Sequence, residues 1–280
     1  HGGCEVGQGI HTKVAQAVAY ALGCPLDFVT VGDTSIIDNP NSNMTGGSGG
    51  SESAVRSVLD ACAQLTKLLA PYRTPAATDW ASVIAAASAD DICLHAAGWE
   101  HVTKHEQPLL FDYATQGVGC VEVELDALTG EIGILRADLL MDQGCPLNPL
   151  IDLGQAEGGF VMALGYYLSE EVLYSPTTGT QLSLGTWQYK PPAVADIPIE
   201  LNVSFVAKLP NESPNNVLSS KASAEPPMAL GAAAFYAARE AIKAVRAEGG
   251  VSSPFPFEAP LTVEKIQQAC LVQPEQFTLS

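Results

Sequence analysis

A chain of 280 residues in which 47% are hydrophobic and 16% charged is long enough for a large core and too apolar to be disordered. Its 31 acids against 13 Lys and Arg give a formal charge of −18, which argues against nucleic-acid partners and anionic membrane surfaces. Any anionic ligand must then be held mainly by backbone N–H groups. No run approaches the roughly 18 apolar residues that span a membrane. The seven cysteines stand singly, with no CxxC pair. That argues against a zinc or iron–sulfur site in this stretch and suits a reducing, cytoplasmic setting. The sequence starts at His1 inside what reads as a motif, and it is expected to be the C-terminal piece of a longer protein.

The first stretch, HGGCEVGQGIHTKVAQAVAYALG, places glycines at 2, 3, 7 and 9 ahead of an amphipathic helix from about His11. Val14, Val18 and Leu22 share one face of it, and Gly23 closes it. A glycine-rich loop entering a helix is either a tight turn or an anion site. It is neither a Walker loop nor GxGxxG. Gln8, an amide between two glycines, is the residue such a loop would present to a ligand. Phe28–Val31 reads as a short strand. A polar loop, Gly32–Gly50, ends in TGGSGGSESAV and feeds a second helix from about Ser51 to Leu69. Val55, Val58, Leu59, Cys62, Leu65 and Leu69 recur there at helical spacing, with Ser51 as N-cap and Glu52 in the first turn. Two such junctions point to one ligand with several polar or anionic groups, cradled from two sides.

Gly46-Gly47-Ser48-Gly49-Gly50 also satisfies the G-x-S-x-G pattern of a nucleophile elbow, which needs a buried strand directly before it. DNPNSNMT precedes it and reads as loop, so a serine hydrolase at Ser48 is the weaker reading. A short helix is expected over Asp79–Ala87 and a strand over Ile92–Trp99. His101 and His105 are four apart but fall in loop or strand, and read as surface histidines. Gly117–Asp126 and Glu131–Met141 form a hairpin around ALTG. In its first strand Cys120, Val121, Val123 and Leu125 are set against Glu122, Glu124 and Asp126.

Asn148–Leu168 reads as loop and then helix, interrupted by Gly158, Gly159 and Gly165, which points to close packing against backbone or ligand. The strand Ile197–Val206 follows. VLSSKASAEPPMAL then sets Glu225 before two prolines. The residue before a proline is biased out of the α region, and proline suits a first helical turn. Glu225 is therefore expected at a stiff, half-buried corner, at the mouth of the helix Met228–Glu248. There it is either a helix-start acid or a general base. Arg239, Lys243 and Arg246 are expected on the outer face of that helix, and a short helix, Thr262–Leu271, on the tail. Helices and strands are mixed without strict βαβ alternation, so the fold class is α+β.

Six stretches in this order, GGCEVGQGIHTK, GGSGGSE, EVELDALTGEIGILRADLLMD, NPLIDLGQAEGGFVMALGYYLSEE, TWQYKPP and SSKASAEPPMALGAA, cover nearly the whole chain. Together they resemble the C-terminal half of the molybdopterin-binding domain of the xanthine dehydrogenase/aldehyde oxidase family, the molybdenum hydroxylases. The resemblance implies that residues 1–280 are part of a Mo cofactor catalytic domain. The iron–sulfur, FAD and first Mo-domain parts would lie upstream. The cofactors implied are Mo-molybdopterin here, and 2Fe–2S clusters and FAD elsewhere in a homodimeric protein. Glu225 matches the family's glutamate of GEPP, the general base at the Mo–OH, with Ala224 where glycine is usual. Val6, Gly7 and Gln8 match the loop at the molybdenum end. Gly47, Ser48, Gly49 and Gly50 match the loop wrapping pterin and metal. Ser223 falls in another cofactor-contacting segment. Gly46 and Gly47 stand where xanthine-acting members have alanines lining the substrate site, and Met162 where many have a glutamine near the cofactor. No side chain is expected to bind the metal directly, which is held through the pterin. Together with TWQYKPP these differences lean to the aldehyde oxidase branch: oxidation of aldehydes or N-heterocycles, with xanthine dehydrogenase as the alternative. A degenerate, non-catalytic relative is the further alternative.

Overall fold

The computed structural model describes residues 1–42, 44–74, 79–101, 111–207 and 209–273. They form two compact units. Unit 1 comprises His1–Ala114, Gly144–Ile151 and Pro210–Lys221, and unit 2 comprises Thr115–Gln143, Asp152–Leu209 and Ala222–Ser280. Among the described residues no helix is long and apolar enough to cross a membrane.

Unit 1 is built on α1 (Ile10–Leu22), α2 (Gly50–Leu69) and α3 (Trp80–Ala89). Helix α1 buries Ile10, Val14 and Ala17, one position round from the expected Val14–Val18–Leu22 face, together with Lys13. These apolar residues meet Ala54 and Val55 of α2 and Val217 of the third segment in one cluster. Gly23 ends α1 in the left-handed region, φ 65°, as its type predicts. Helix α2 is capped by Gly49 rather than by Ser51. Asp79 caps α3, its carboxylate accepting from the Ser82 amide at 2.8 Å. Two expected strands do not form. Phe28 belongs to a 3₁₀ turn, Leu26–Phe28, and Ile92–Trp99 takes no regular structure. Both runs have strand-like composition, and neither finds a neighbouring ladder, which a strand requires.

Unit 2 holds β1 (Gly117–Leu125), β2 (Ile132–Met141), α4 (Pro149–Leu168), α5 (Thr186–Tyr189), β3 (Glu200–Phe205), α6 (Pro226–Leu230), α7 (Ala232–Glu248) and α8 (Val263–Cys270). The first three residues of α4 belong to unit 1. The hairpin forms as read, with a bulge between Glu122 and Val123, and β3 adds parallel to β2. One correction concerns Cys120, which is exposed: Gly119, Val121, Val123 and Leu125 make the inward row. Ile134, Ala137 and Leu139 of β2 pack on Phe160 and Leu164 of α4 and Ala234 of α7 to form the core. A second cluster joins Phe235, Ala238 and Ile242 of α7 to Ile266, Ala269 and Cys270 of α8. The result is the mixed α+β class expected.

Two boundaries and one facing differ from the sequence reading. Helix α4 starts at Pro149, earlier than the periodicity indicated, because the Asn148 side chain accepts from the Ile151 amide at 3.1 Å and proline suits the first turn. The expected Met228–Glu248 helix is broken at Gly231 into α6 and α7. A Cβ on Gly231 would stand 2.6 Å from the Ala163 Cβ, so the glycine lets the break seat against α4. Arg246, expected on the outer face of α7, is buried.

Candidate cofactor cradle and base

The two glycine-rich loops both lie in unit 1, and the structure brings them together. The Cys4 amide donates to Thr45 Oγ1 at 2.8 Å. The helices that follow run side by side with their starts at one end. Ile10, the first residue of α1, shares a cluster with Ala54 and Val55 in the second turn of α2. At the other end, Arg73 donates to the Leu22 carbonyl and Trp80 Nε1 to the Gly23 carbonyl, just past the ends of α2 and α1. Two positive helix ends therefore point the same way, the arrangement that favours an anion.

Within the first loop the outcome differs from expectation. Glu5, an acid the sequence reading passed over, claims the amides at the mouth of α1: its Oε1 accepts from Gly7 at 3.0 Å and Gly9 at 2.8 Å. Burial pushes its carboxyl up, but the Gly9, Gly7 and His11 amides outweigh this and hold it below the usual carboxylate range. Gln8 is folded back on the same loop rather than extended to a ligand, its Oε1 accepting from the Val6 amide at 2.7 Å and its Nε2 donating to the Cys4 carbonyl at 2.8 Å. The loop is thus held in shape by its own side chains. The signal was in the sequence: an acid two and four residues before glycines can reach back over a nest of free amides.

The second loop is open. Gly46, Gly47 and Gly49 have no atom within 4 Å of where a Cβ would stand. Ser48 is exposed, with a left-handed φ of 60°. No strand precedes it, and among the described residues no histidine or carboxylate is hydrogen-bonded to its hydroxyl, so the elbow pattern here is not a nucleophile site. At the start of α2, Ser51 Oγ is buried without a hydrogen-bond partner. A buried polar atom left unpaired is rare and points to a missing partner. An orphan hydroxyl, open glycines and the first amides of α2 together fit a ligand rich in hydrogen-bonding and anionic groups.

Unit 2 carries the remaining candidates. Glu225 immediately precedes α6 with φ −81°, ψ −35°, inside the α region that its proline was expected to forbid. The local bias is overridden because Glu225 already belongs to the helical turn, its carbonyl accepting from the Met228 amide at 3.0 Å. Its side chain is exposed, not half-buried, makes no cap hydrogen bond, and has no partner among the described residues. Ser223 is buried and donates to Asp152 Oδ1 of α4 at 3.2 Å, so its hydroxyl is engaged inside the unit. Between them, the Ala224 carbonyl rests on Gly159, where a Cβ would come within 1.9 Å of that oxygen. Gly165 is likewise close-packed, against Glu170 and Pro192, while Gly158 is open. Met162 lies one turn further along α4 and is 64% exposed. Asp152 was not singled out by sequence, whereas the close packing expected of the α4 glycines is found at Gly159 and Gly165 and not at Gly158. No group of three His, Cys, Asp or Glu able to hold a metal ion occurs among the described residues. His101 is exposed and stands 3.7 Å from Asp60, and His105 lies outside the described residues.

The role of Glu5 has a direct check. Glu5→Ala in the full-length protein is expected to leave folding intact and lower the molybdenum bound per chain, measured by elemental analysis. Glu5→Gln, which keeps one accepting oxygen, is expected to recover part of the loss. Because the Glu5 carboxyl is held below its ordinary value, its contribution is full above the ordinary carboxylate range and is lost as pH falls through the lowered value. The loop is therefore expected to be insensitive to pH near neutrality and to loosen only in acid.

The family model described as the molybdopterin cofactor-binding domain matches residues 1–198. The chain is 43% identical over 279 residues to a xanthine dehydrogenase of Drosophila subobscura and 40% identical over 284 residues to aldehyde oxidase 1 of Rattus norvegicus. Each alignment covers 96% of this chain, but the chain spans only 20% and 21% of those proteins. The two branches stand too close in identity to be ranked by it. The fold is that of quinoline 2-oxidoreductase from Pseudomonas putida 86, with a TM-score of 0.77 at 22% identity over 97% of this chain and 36% of that one. The chain belongs to the molybdopterin cofactor-binding domain family, with proteins named xanthine dehydrogenase and aldehyde oxidase among its relatives.

Proposed function

We propose that this chain is the C-terminal half of the Mo domain of a molybdenum hydroxylase that oxidises aldehydes or N-heterocycles with water as the oxygen source. The observation that carries the reading is the joined pair of glycine loops at the parallel starts of α1 and α2, with the orphan Ser51 hydroxyl beside them. The family match supports a molybdopterin cofactor as its ligand. The loop of Val6, Gly7 and Gln8 and the loop of Gly47, Ser48, Gly49 and Gly50, both in unit 1, would hold the molybdenum cofactor. When bound, the cofactor supplies the two-electron acceptor and the site at which water enters the reaction. The chain's own contribution is to hold it through backbone amides, since basic side chains are scarce. Glu225 is the proton acceptor: an unpartnered carboxylate on a short stiff helix start, pinned from below by α4 at Gly159.

The aldehyde branch is favoured by open space at Gly46 and Gly47 and by Met162. Met162 offers no amide where many xanthine-acting members have a glutamine near the cofactor, and the missing side chains at 46 and 47 leave room for a less polar substrate. The rest of the protein, with 2Fe–2S clusters, FAD and a homodimeric assembly, belongs to the same proposal. Purified full-length protein is expected to hold about one molybdenum per chain together with several irons, and to turn over an aromatic aldehyde faster than hypoxanthine. Faster hypoxanthine oxidation would move the protein to the xanthine dehydrogenase branch. Iron without molybdenum, from cells that make the cofactor, would sink the hydroxylase reading in favour of a non-catalytic relative.

A further inference from the structure

Unit 2 contains a concavity of about 710 Å³ beside the C-terminal end of α7, walled by Arg239, Lys243, Arg246 and the loop from Gly250 to Phe257. None of the candidate cofactor or base residues lines it. Its wall collects three of the chain's 13 cations and no carboxylate, in a sequence where acids outnumber bases by 31 to 13. The size is that of a small-molecule pocket.

The charges at this wall are not balanced. Arg246 is only 4% exposed. Its Nη1 donates to the Ala269 carbonyl at 2.6 Å, and its Nη2 to Ser253 O at 2.8 Å and Oγ at 3.0 Å. The Phe255 ring centroid lies 5.2 Å from its Cζ. All these partners are neutral, and no carboxylate pairs with Arg246 among the described residues. The adjacent Cys270 does not supply the charge, because burial pushes its thiol up against the pull of Arg246. Buried charges are ordinarily paired, and the negative end of α7 offers only about half a charge. Arg239 and Lys243 share a single acid, Glu240, at 3.0 and 2.9 Å. Arg239 and Lys243 thus share one carboxylate, which is not part of the wall, and Arg246 has neutral partners only.

The other side of the cavity is apolar and rigid. Phe257 stacks on the buried Phe235 with centroids 3.9 Å apart, which ties the loop to the core. The Arg239 guanidinium lies 5.4 Å from the Phe257 ring centroid and 5.0 Å from that of Tyr236, so cation and ring are already arranged side by side. A fixed aromatic wall beside unbalanced cations loses little freedom when a ligand arrives. The chain's overall charge of −18 repels long polyanions, so a nucleic acid does not suit it. A compact anion does.

We propose that this cavity binds a small organic anion with an aromatic body, its charge set among Arg239, Lys243 and Arg246 and its ring against Phe255 and Phe257. A carboxylate and a phosphoryl group satisfy the same cations, and the test separates them. Full-length protein is titrated calorimetrically with benzoate, phenyl phosphate, inorganic phosphate and benzyl alcohol. Both aromatic anions are expected to bind at least tenfold more tightly than benzyl alcohol or inorganic phosphate. The tighter of the two names the source. Arg239→Ala/Lys243→Ala removes one half-buried and one exposed side chain with their surface pairs to Glu240, so its melting temperature is expected to fall only slightly while the aromatic anions weaken at least tenfold. Glu240→Gln, which frees both cations, is expected to tighten them. Equal affinity in wild type and the double variant would overturn the proposal, since any binding would then lie elsewhere. Inorganic phosphate binding as tightly as phenyl phosphate would overturn it too, since the ring would contribute nothing.

Discussion

Glu225→Gln is expected to lower kcat of the full-length protein by about 10²–10⁴-fold, the usual contribution of a positioned general base. Molybdenum content and melting temperature should stay at wild-type values. The substitution keeps the shape of the side chain and removes only its ability to take a proton. It breaks no hydrogen bond or ion pair among the described residues, because the Glu225 carboxylate makes none. A helix-start acid that only favours the dipole contributes about 0.3–1 kcal/mol at a surface site, and α6 is only five residues long. The two roles therefore predict opposite patterns. A general base gives a large fall in kcat with stability unchanged, and a helix-start acid gives a small fall in stability with the rate unchanged. Aldehyde oxidation at a near wild-type rate in Glu225→Gln would remove Glu225 from the mechanism while leaving the cofactor cradle untouched.

What the sequence made legible were the features whose signal is local. The 3.6-residue period located α1, α2 and α7, the ALTG hairpin came out to within a residue or two, and the glycine loops stood out by composition. What it hid depends on partners distant in sequence or on short polar geometry. Cys120 was grouped with Val121, Val123 and Leu125 by its apolar type, although strict alternation excludes two neighbours from one face, and the inward row runs Gly119, Val121, Val123, Leu125 without a break. Arg246 follows Ala238 and Ile242 at helical spacing, so its inward position was available to the period. Its charge argued otherwise, and only the carbonyls of Ser253 and Ala269, from other elements, make burial tolerable. The local steric bias of a pre-proline residue put Glu225 outside the α region, and one hydrogen bond from Met228 reversed it. Within the cradle, glycines at 7 and 9 were visible, but the carboxylate that shapes them was not, because nothing in periodicity reports a side chain turning back on its own backbone.

The adjacent glycines of α4 give the second large effect, and they act as each other's control. Gly158 has no atom within 4 Å of a built Cβ, so Gly158→Ala adds a methyl into open space. Alanine is the better helix former by about 0.5–1 kcal/mol, so this variant is expected to melt no lower than wild type and to keep its rate. Gly159→Ala places the same methyl 1.9 Å from the Ala224 carbonyl oxygen and 3.2 Å from Pro227 Cγ. A backbone carbonyl cannot swing aside as a flexible side chain does. The Ala224 peptide must move by roughly 1 Å, and with it the start of α6 and the Glu225 carboxylate. A misplacement of that size costs up to about 10²-fold, so kcat of Gly159→Ala is expected to fall about 10–100-fold while bound molybdenum stays near wild type. The defect lies in where the base stands rather than in whether the cofactor is held, and this sets it apart from Glu5→Ala, which is expected to lose metal. If Gly159→Ala turns over like wild type, α4 does not position the Glu225 segment. If Gly158→Ala falls as far as Gly159→Ala, the loss belongs to the helix as a whole and not to the contact beneath Ala224.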